Sequence, residues 1–461
     1  SNTMPAGAAA LPLLFNCNGG DINVEYYKVI RMKISFYTLG CKTNQFETQA
    51  LEQLFSQKGH EIVAFTEKAD VYIINTCTVT ALGDKKSRNA ARRAKALNPN
   101  CILVVCGCYA QIKPDEVREL CGADIVCGTA DKSRIVELVE QASADHAYIC
   151  SVKPGFDRGD FDFMPAGSLD GRTRALLKVQ DGCQNFCAYC LIPYARGLSR
   201  SMPMAQVESE AARLNAEGYR EIVVTGIEIS SYGFDLPGKP SPTAMISAAC
   251  AAAPNARIRL GSLEPRTVTD DFCRELSQHK NLCPHFHLSL QSGCDKTLKA
   301  MNRKYLTERY TESCRLLREY FPGCAITTDL IVGFPGETEE DFAKSLDFVK
   351  KCAFAQVHIF PYSSRPGTRA ASMPGQLTRA VKQQRAEKAA EVCSALRRSY
   401  LGSMVGKTVE VLFEQGKKGV SQGHCPQYCL VAAEGGVPGE VSSVAIDGCD
   451  DEMLLGHICP Q

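Results

Sequence analysis

The sequence has 461 residues, 45% hydrophobic and 22% charged, with a net charge of +1. That is an ordinary globular composition, long enough for two or three domains, and so small a net charge names no partner. There are 24 cysteines. A secreted disulfide scaffold would need a signal peptide on a short, loop-rich chain. The opening "SNTMPAGAAALPLLFNCNGG" has no basic segment, and "ALPLLF" is too short for a signal core. No apolar run approaches roughly 20 residues, so no membrane span is expected. The expectation is a cytoplasmic chain with reduced thiols, whose clustered cysteines bind metal or do chemistry.

Residues 1–31 are read as a leader or tag outside the fold, because "MKISFYTLGCK" from Met32 begins at once with a strand. Residues 32–150 then alternate strand and helix. "KISFYTLG", "DVYIINTC" and "CILVVCGC" are apolar runs bounded by turn residues. "NQFETQALEQLFSQKG" sets Phe46, Leu51, Leu54 and Phe55 near one helical face and stops at Gly59. This alternation predicts a parallel α/β sheet covered on both faces, with ligands at the carboxyl ends of its strands. Cys41, Cys77 and Cys108 each stand at or just past such an end, 36 and 31 residues apart. Cys106 competes with Cys108: two residues apart on a strand, they point to the same face.

Residues 151–172 lack periodicity and are read as a linker. A second series over 173–400 holds six strands, "ALLKVQ", "EIVVTGIE", "RIRLGSLE", "HFHLSLQ", "AITTDLIVGF" and "AQVHIFPYS", with helices between them. Six βα units predict a partial barrel that works at its strands' C-terminal ends. Over 402–461, "GKTVEVLFEQ", "QYCLVAAE", "EVSSVAID" and "MLLGHI" predict a small β-barrel or sandwich.

"QDGCQNFCAYCLIPYARG" follows the first strand of the six. Cys183, Cys187 and Cys190 stand at C-x3-C-x2-C with no fourth ligand nearby. Structural zinc takes four ligands. An iron–sulfur cubane held by three thiolates keeps one iron open for a substrate or cofactor. This spacing, with Tyr189 before its last cysteine, resembles the motif of the radical S-adenosylmethionine (SAM) superfamily. The resemblance implies a 4Fe-4S cluster whose open iron chelates SAM and whose electron cleaves it to a 5′-deoxyadenosyl radical.

From Met32 onward, "TLGCKTNQFET", "NTCTVT", "GCYAQ", "RLGSLEP", "HLSLQSGCDKTLKAMNRKY" and "TTDLIVGFPGETEEDF" look like the methylthiotransferases of that superfamily. The family pattern makes Cys41, Cys77 and Cys108 ligands of a second 4Fe-4S cluster, and so favours Cys108 over Cys106. It gives the C-terminal domain the likeness of a TRAM domain, an RNA-binding module. "GCKTNQFE" and "NTCTVT" are most similar to the branch acting on N6-threonylcarbamoyladenosine at tRNA position 37; the isopentenyladenosine branch tends to read "GCQMN" instead. The reaction implied inserts sulfur at adenine C2 and methylates it, using one SAM for the radical and one for the methyl group. It further implies a tRNA substrate, an electron donor protein, a sulfur donor and no membrane. By position, Tyr189, Gly226, Glu264 and Gln291 are candidates for the SAM site. Glu228-Ile229-Ser230 departs from the family, which often carries histidine then leucine and glycine there.

"DKKSRNAARRAK" over residues 84–95 holds six basic side chains and one acid. Helical spacing puts Lys85, Arg88, Arg92 and Lys95 on one face, suited to phosphate contacts that position RNA without reading it. Arg196 and Arg200, beside the cysteine loop, are further RNA candidates. Residues 402–461 argue the other way, with three lysines, no arginine and eight acids, a net −5. Such a module suits a basic protein, which favours the family's ribosomal-protein aspartate branch as an alternative. A non-catalytic iron–sulfur RNA-binding protein is the alternative of another class. Most of the remaining 18 cysteines are read as small core residues.

Overall fold

The computed structural model describes residues 31–78, 81–145, 147–167, 173–417 and 419–460. The expected leader, but for Arg31, lies outside these residues, as do positions 168–172 of the expected linker. Strands that are apolar on both faces need cover on both. Strand β1 (Lys33–Thr38), β2 (Glu61–Val63), β3 (Val71–Thr76), β4 (Ile102–Gly107), β5 (Ile125–Cys127) and β6 (Ile149–Ser151) form one parallel sheet in the order β2-β1-β3-β4-β5-β6. Helix α1 (Lys42–Gln57) buries Leu51 and Phe55 on one face against Ile34, Ile73 and Val104. Helix α2 (Ala81–Leu97) lays Ala90, Ala91 and Ala94 on the other, against Tyr72, Ile74 and Leu103.

The strand containing Cys106 ends before Cys108. Gly107 turns the chain at φ 97°, and a Cβ there would meet the Thr76 carbonyl at 2.6 Å. Cys106 packs into the core with Ile73 and Val104, whereas Cys108 opens helix α3 (Cys108–Ile112). The two thiols therefore do not share a face of one strand.

The second unit runs β7 (Arg174–Lys178), the short antiparallel pair β8 (Gln180–Asp181) and β9 (Arg200–Ser201), then β10 (Glu221–Thr225), β11 (Arg257–Leu260), β12 (Ser262–Leu263), β13 (His285–Leu288), β14 (Ala325–Val332) and β15 (Gln356–Pro361). Parallel pairing gives β11-β10-β7 and β12-β13-β14-β15, with Gly261 joining the two arcs through its N–H to the Val224 carbonyl. This is an open (β/α)6 barrel. One face of its strands carries Ile222, Val224, Ile258, Leu260, Phe286, Leu288 and Ile326 into the core beneath the helices. The other face carries Arg174, Glu221, Arg259, His285 and Asp329.

Five strands, β16 (Thr408–Lys417), β17 (Val420–His424), β18 (Leu430–Glu434), β19 (Val441–Cys449) and β20 (Leu454–Ile458), close a barrel in the order β16-β17-β18-β20-β19. Four were expected; β17, "VSQGH", lacks the apolar run that announces a strand. This barrel docks under the open one. Arg174 pairs with Glu414, and Arg259, fully buried, donates to the carbonyls of Cys425 and Pro426 at 3.2 and 2.8 Å while holding Glu221. Among the described residues no helix is long and apolar enough to cross a membrane.

A buried ion network joins the first unit to the second. Glu47 of α1 meets Lys132, Lys178 at 3.2 Å and Arg196 at 2.8 Å; Asp181 meets Lys178 at 2.7 Å and Arg196 at 2.9 Å. Burial pushes both carboxyls up. The charges of Arg196 and its companion lysines outweigh burial and hold both well below the usual carboxylate range. Removing one partner of such a set strands the others without water. Glu47→Gln is expected to cost about 3–5 kcal/mol, read as a lowered urea midpoint. Glu137→Gln, which removes an exposed pair with Arg134, should cost below about 1 kcal/mol. Equal shifts for the two would refute the network's role.

Candidate active site

The loop bearing Cys183, Cys187 and Cys190 leaves β8 through Gly182 and closes on the short helix Ile192–Arg196. Backbone bonds pin it: Cys183 N–H to Gly197 O at 3.0 Å, Ala188 N–H to Met301 O at 2.9 Å, Cys190 N–H to Cys187 O at 3.0 Å. Its sulfurs already accept donors, Cys187 Sγ from Arg303 Nη1 at 3.2 Å and Cys190 Sγ from the Ile192 N–H at 3.4 Å. Burial pushes the Cys183 thiol far up, and burial followed by the neighbouring Cys187 pushes Cys190 up to about 12. All three are free thiols.

Cys41, Cys77 and Cys108 come together at the carboxyl ends of β1, β3 and β4. Cys41 caps α1 and Cys108 begins α3, so both stand at the start of a helix. A Cβ on Gly40 would meet Cys77 Sγ at 3.0 Å, so the Cys41 turn lies directly on Cys77. Burial pushes Cys108 up, and the Cys41 sulfur adds to that, while Arg196 opposes it. Helix α3, which Cys108 opens, packs against the short helix that follows Cys190, so the two cysteine sets stand on adjoining elements.

Both sets fit iron–sulfur clusters by their chemistry. Each offers three soft sulfur ligands, and each has an arginine beside it. Arg303 keeps Nη2 buried without a partner next to Cys187, as a bound anionic group would require. Sequence reasoning did not single out Arg303, although it lies inside the motif ending "MNRKY"; nothing in that string says which cation turns toward the thiols.

The four SAM candidates surround the loop unequally. The Tyr189 ring packs edge-on against Phe334, with centroids 6.5 Å apart. Gly226 does face a close approach, but by Gln180, whose side chain lies 3.0 Å from where its Cβ would be. Glu264 is gripped by Arg266 at 2.7 and 3.2 Å. Gln291 adopts φ 67°, a left-handed conformation uncommon outside glycine, and its N–H bonds Asp329 O. The departing residue Glu228 joins them. Burial, then the Glu264 carboxylate, push its carboxyl up to about 7. Asn185 of the cysteine loop donates to it at 3.4 Å.

The RNA candidates divide. Arg196 is fully buried in the ion network, and Arg200 is buried beside Asp181, donating to the Arg196 carbonyl. Neither reaches an RNA surface, which corrects the expectation: both cations are consumed by carboxylates that position the cysteine loop. Arg88 bonds the Tyr109 hydroxyl at 3.0 Å and Glu116, and Lys95 pairs with Asp124 at 2.9 Å, so half of the α2 stripe is committed to neighbouring helices and loops. Lys85 and Arg92 stay exposed, together with Lys86 and Arg93.

Two family models match the chain, the radical SAM superfamily over residues 177–349 and the uncharacterized protein family UPF0004 over 33–128. A Bacillus subtilis protein named threonylcarbamoyladenosine tRNA methylthiotransferase MtaB is 38% identical over 87% of this chain and 90% of its own length. A Pelotomaculum thermopropionicum tRNA-2-methylthio-N(6)-dimethylallyladenosine synthase is 33% identical over 83% of this chain and 86% of its own. Among solved structures, the radical SAM methyltransferase TsrM from Kitasatospora setae covers 74% of this chain and 75% of its own at TM-score 0.54 and 16% identity, a likeness of fold.

Glu228 yields a pH prediction. Its folded pKa of about 7 lies above the unfolded value of about 4.3. Between those two values the folded state keeps a proton that the unfolded chain has lost. Stability therefore falls as pH rises through the window, and the penalty persists above it. Glu228→Gln should flatten that slope and melt higher than the parent above pH 7. Parallel pH–stability curves for the two proteins would sink the assignment.

Proposed function

We propose a defined reaction for this chain, which belongs to the radical SAM methylthiotransferase family. It converts N6-threonylcarbamoyladenosine at position 37 of tRNA to the 2-methylthio derivative. The observation that carries this is the 38% identity, over nearly the whole of both chains, with a relative named for that nucleoside. The 33% relatives named for dimethylallyladenosine favour isopentenylated tRNA as the second reading.

In this reading Cys183, Cys187 and Cys190 hold the 4Fe-4S cluster that meets SAM, and Cys41, Cys77 and Cys108 hold the second. Bound there, the clusters and SAM supply the one-electron chemistry that removes the C2 hydrogen and the sulfur and methyl that replace it. No acid–base pair of side chains takes an unactivated aromatic hydrogen at neutral pH. The chain's own work is to hold and orient. Arg303 donates to Cys187 and keeps a second N–H for an anionic group. Glu264 and Gln291 line the space for SAM with Tyr189, and Gly226 lies behind Gln180. The exposed cations Lys85, Lys86, Arg92 and Arg93 contact tRNA phosphates. The C-terminal barrel, read as TRAM-like, braces the floor of the open barrel through Arg174, Arg257 and Arg259. An electron donor protein and a sulfur donor complete the reaction, which takes place with tRNA in the cytoplasm.

Anaerobic reconstitution should give about eight irons per chain, as two cubanes require. Incubation with SAM, a reductant and tRNA bearing threonylcarbamoyladenosine should add one methylthio group to that nucleoside, read by mass spectrometry. Cys190→Ala should abolish 5′-deoxyadenosine formation. Cys77→Ala should retain it but make no methylthio product. Full iron loading with tRNA left unchanged would overturn the substrate, and isopentenylated tRNA would then be tried.

The phosphate contacts are tested separately. Reversing Lys85 and Arg92 to glutamate should weaken tRNA binding and reduce the salt dependence of affinity by about one to two phosphate contacts, with iron content unchanged. An unaltered salt slope would remove α2 from the RNA surface.

A further inference from the structure

The inner face of the open barrel holds more positive charge than its carboxylates neutralise. Arg174, Arg257 and Arg259 crowd Glu221, and Arg174 also meets Glu414. Lys42 of α1 reaches into the same space. Its Nζ lies 5.6 Å from the centre of the Tyr428 ring, which Arg174 and Arg259 also face at 5.4 and 4.7 Å. Four cations thus share two carboxylates. Asp329, on the strand beyond His287, lies 3.4 Å from that imidazole; with it counted, one positive charge is still in excess. The Tyr428 ring also stacks on His424 and lies 5.0 Å from His285, whose imidazole burial holds well below its ordinary pKa, so His285 adds no charge.

Lys42 is the cation in this group without a counter-ion. Among the described residues it forms neither an ion pair nor a side-chain hydrogen bond, only the contact with the Tyr428 ring. A half-buried ammonium with no carboxylate is a cost to the fold. Nor is Lys42 remote in the chain from the chemistry: it directly follows Cys41 of the second cysteine set and opens the helix that Cys41 caps.

We infer that Lys42 is the residue that selects an anionic N6 substituent, by binding its carboxylate inside the barrel. This rests on the reaction proposed above. The threonylcarbamoyl arm ends in a carboxylate and the dimethylallyl arm is hydrocarbon. An ammonium facing the first gains a charge-assisted hydrogen bond and a counter-ion. Facing the second it would be left uncompensated, which rejects that substrate.

The test uses the reconstituted full chain and two tRNA substrates, one bearing threonylcarbamoyladenosine and one its threonine methyl ester. The parent protein should prefer the acid over the ester in kcat/KM by roughly ten- to a hundredfold, the range for a hydrogen bond to a charged group. Lys42→Gln should erase most of that preference by lowering turnover of the acid alone, with iron content unchanged. Lys42→Arg should keep part of it. An equal loss on both substrates, as a lost phosphate contact or a disturbed loop would give, overturns the inference, and so does an unchanged acid-to-ester ratio. A parent protein that modifies neither substrate refutes the proposed reaction itself, and the role of Lys42 falls with it.

Discussion

Five charges sealed from water hold the two halves of the site in register. Glu47 and Asp181 face Lys132, Lys178 and Arg196, and none of the five side chains is more than 2% exposed. Buried ions cost several kcal/mol each unless their geometry is closely matched. The network therefore tolerates little displacement of the elements that contribute to it. Those elements are the ones that carry the cysteines. Glu47 lies one and a half turns along the helix that Cys41 caps. Asn75, which accepts from Lys132 at 2.9 Å, stands two residues before Cys77. Arg196 ends the helix that follows Cys190, and its Nη2 reaches Asn44 at 2.6 Å. A buried salt bridge is weak support for stability in general. Here its value is positional, because chemistry that joins two cofactors fails when they are misplaced by an ångström.

The same division of labour appears in the open barrel. Its helix-facing side is a conventional apolar core. Its inner side is polar from floor to mouth, and the C-terminal barrel exists in part to satisfy that floor. Arg174, Arg257 and Arg259 find their partners in Glu414 and in the carbonyls of Glu410, His424, Cys425 and Pro426. Arg397 and Arg398 of the preceding long helix likewise reach Glu452 O and Asp451. Part of the acidity of residues 402–461 is thus spent inward on arginines of the same chain. The negative net charge of that module is therefore a poor guide to what it binds.

The fold was legible where apolar runs are long. The first sheet and the six βα units follow from hydrophobic periods and turn residues. What the period hid was the inner face. "RIRL" and "HFHL" alternate strictly, as half-buried antiparallel strands do, yet both lie in a parallel barrel whose inside is charged. β17 escaped because its side chains are mostly polar. Both cysteine sets were legible from spacing and strand ends, but the surroundings of the thiols were not. A helical wheel shows that Lys85, Arg88, Arg92 and Lys95 share a face. It cannot show that Tyr109, Glu116 and Asp124 come from 21 to 29 residues away to claim two of them. Arg196 misled for the same reason: a basic residue beside a reactive loop has the same one-dimensional appearance whether it meets phosphate or a buried aspartate.

The arginines and thiols make most sense taken together. Burial alone would pull the pKa values of Arg196 and Arg303 down, yet Asp181 and Glu47 hold Arg196, and Tyr189, Tyr305 and Cys187 hold Arg303, well above the ordinary arginine value. They are permanent charges. The thiols beside them, Cys108 and Cys190, are pushed the other way by the same burial and keep their protons at neutral pH. Arg196 is already met by Glu47 and Asp181, whereas Arg303 forms no ion pair among the described residues and keeps Nη2 without an acceptor. Metal binding requires thiolate and releases those protons. A cysteine that bound iron would release its proton to solvent and set a thiolate beside the arginine already fixed there. Loading either site would therefore add negative charge beside a cation that is already in place, so the arginines would favour the thiolate, metal-bound form of each pocket.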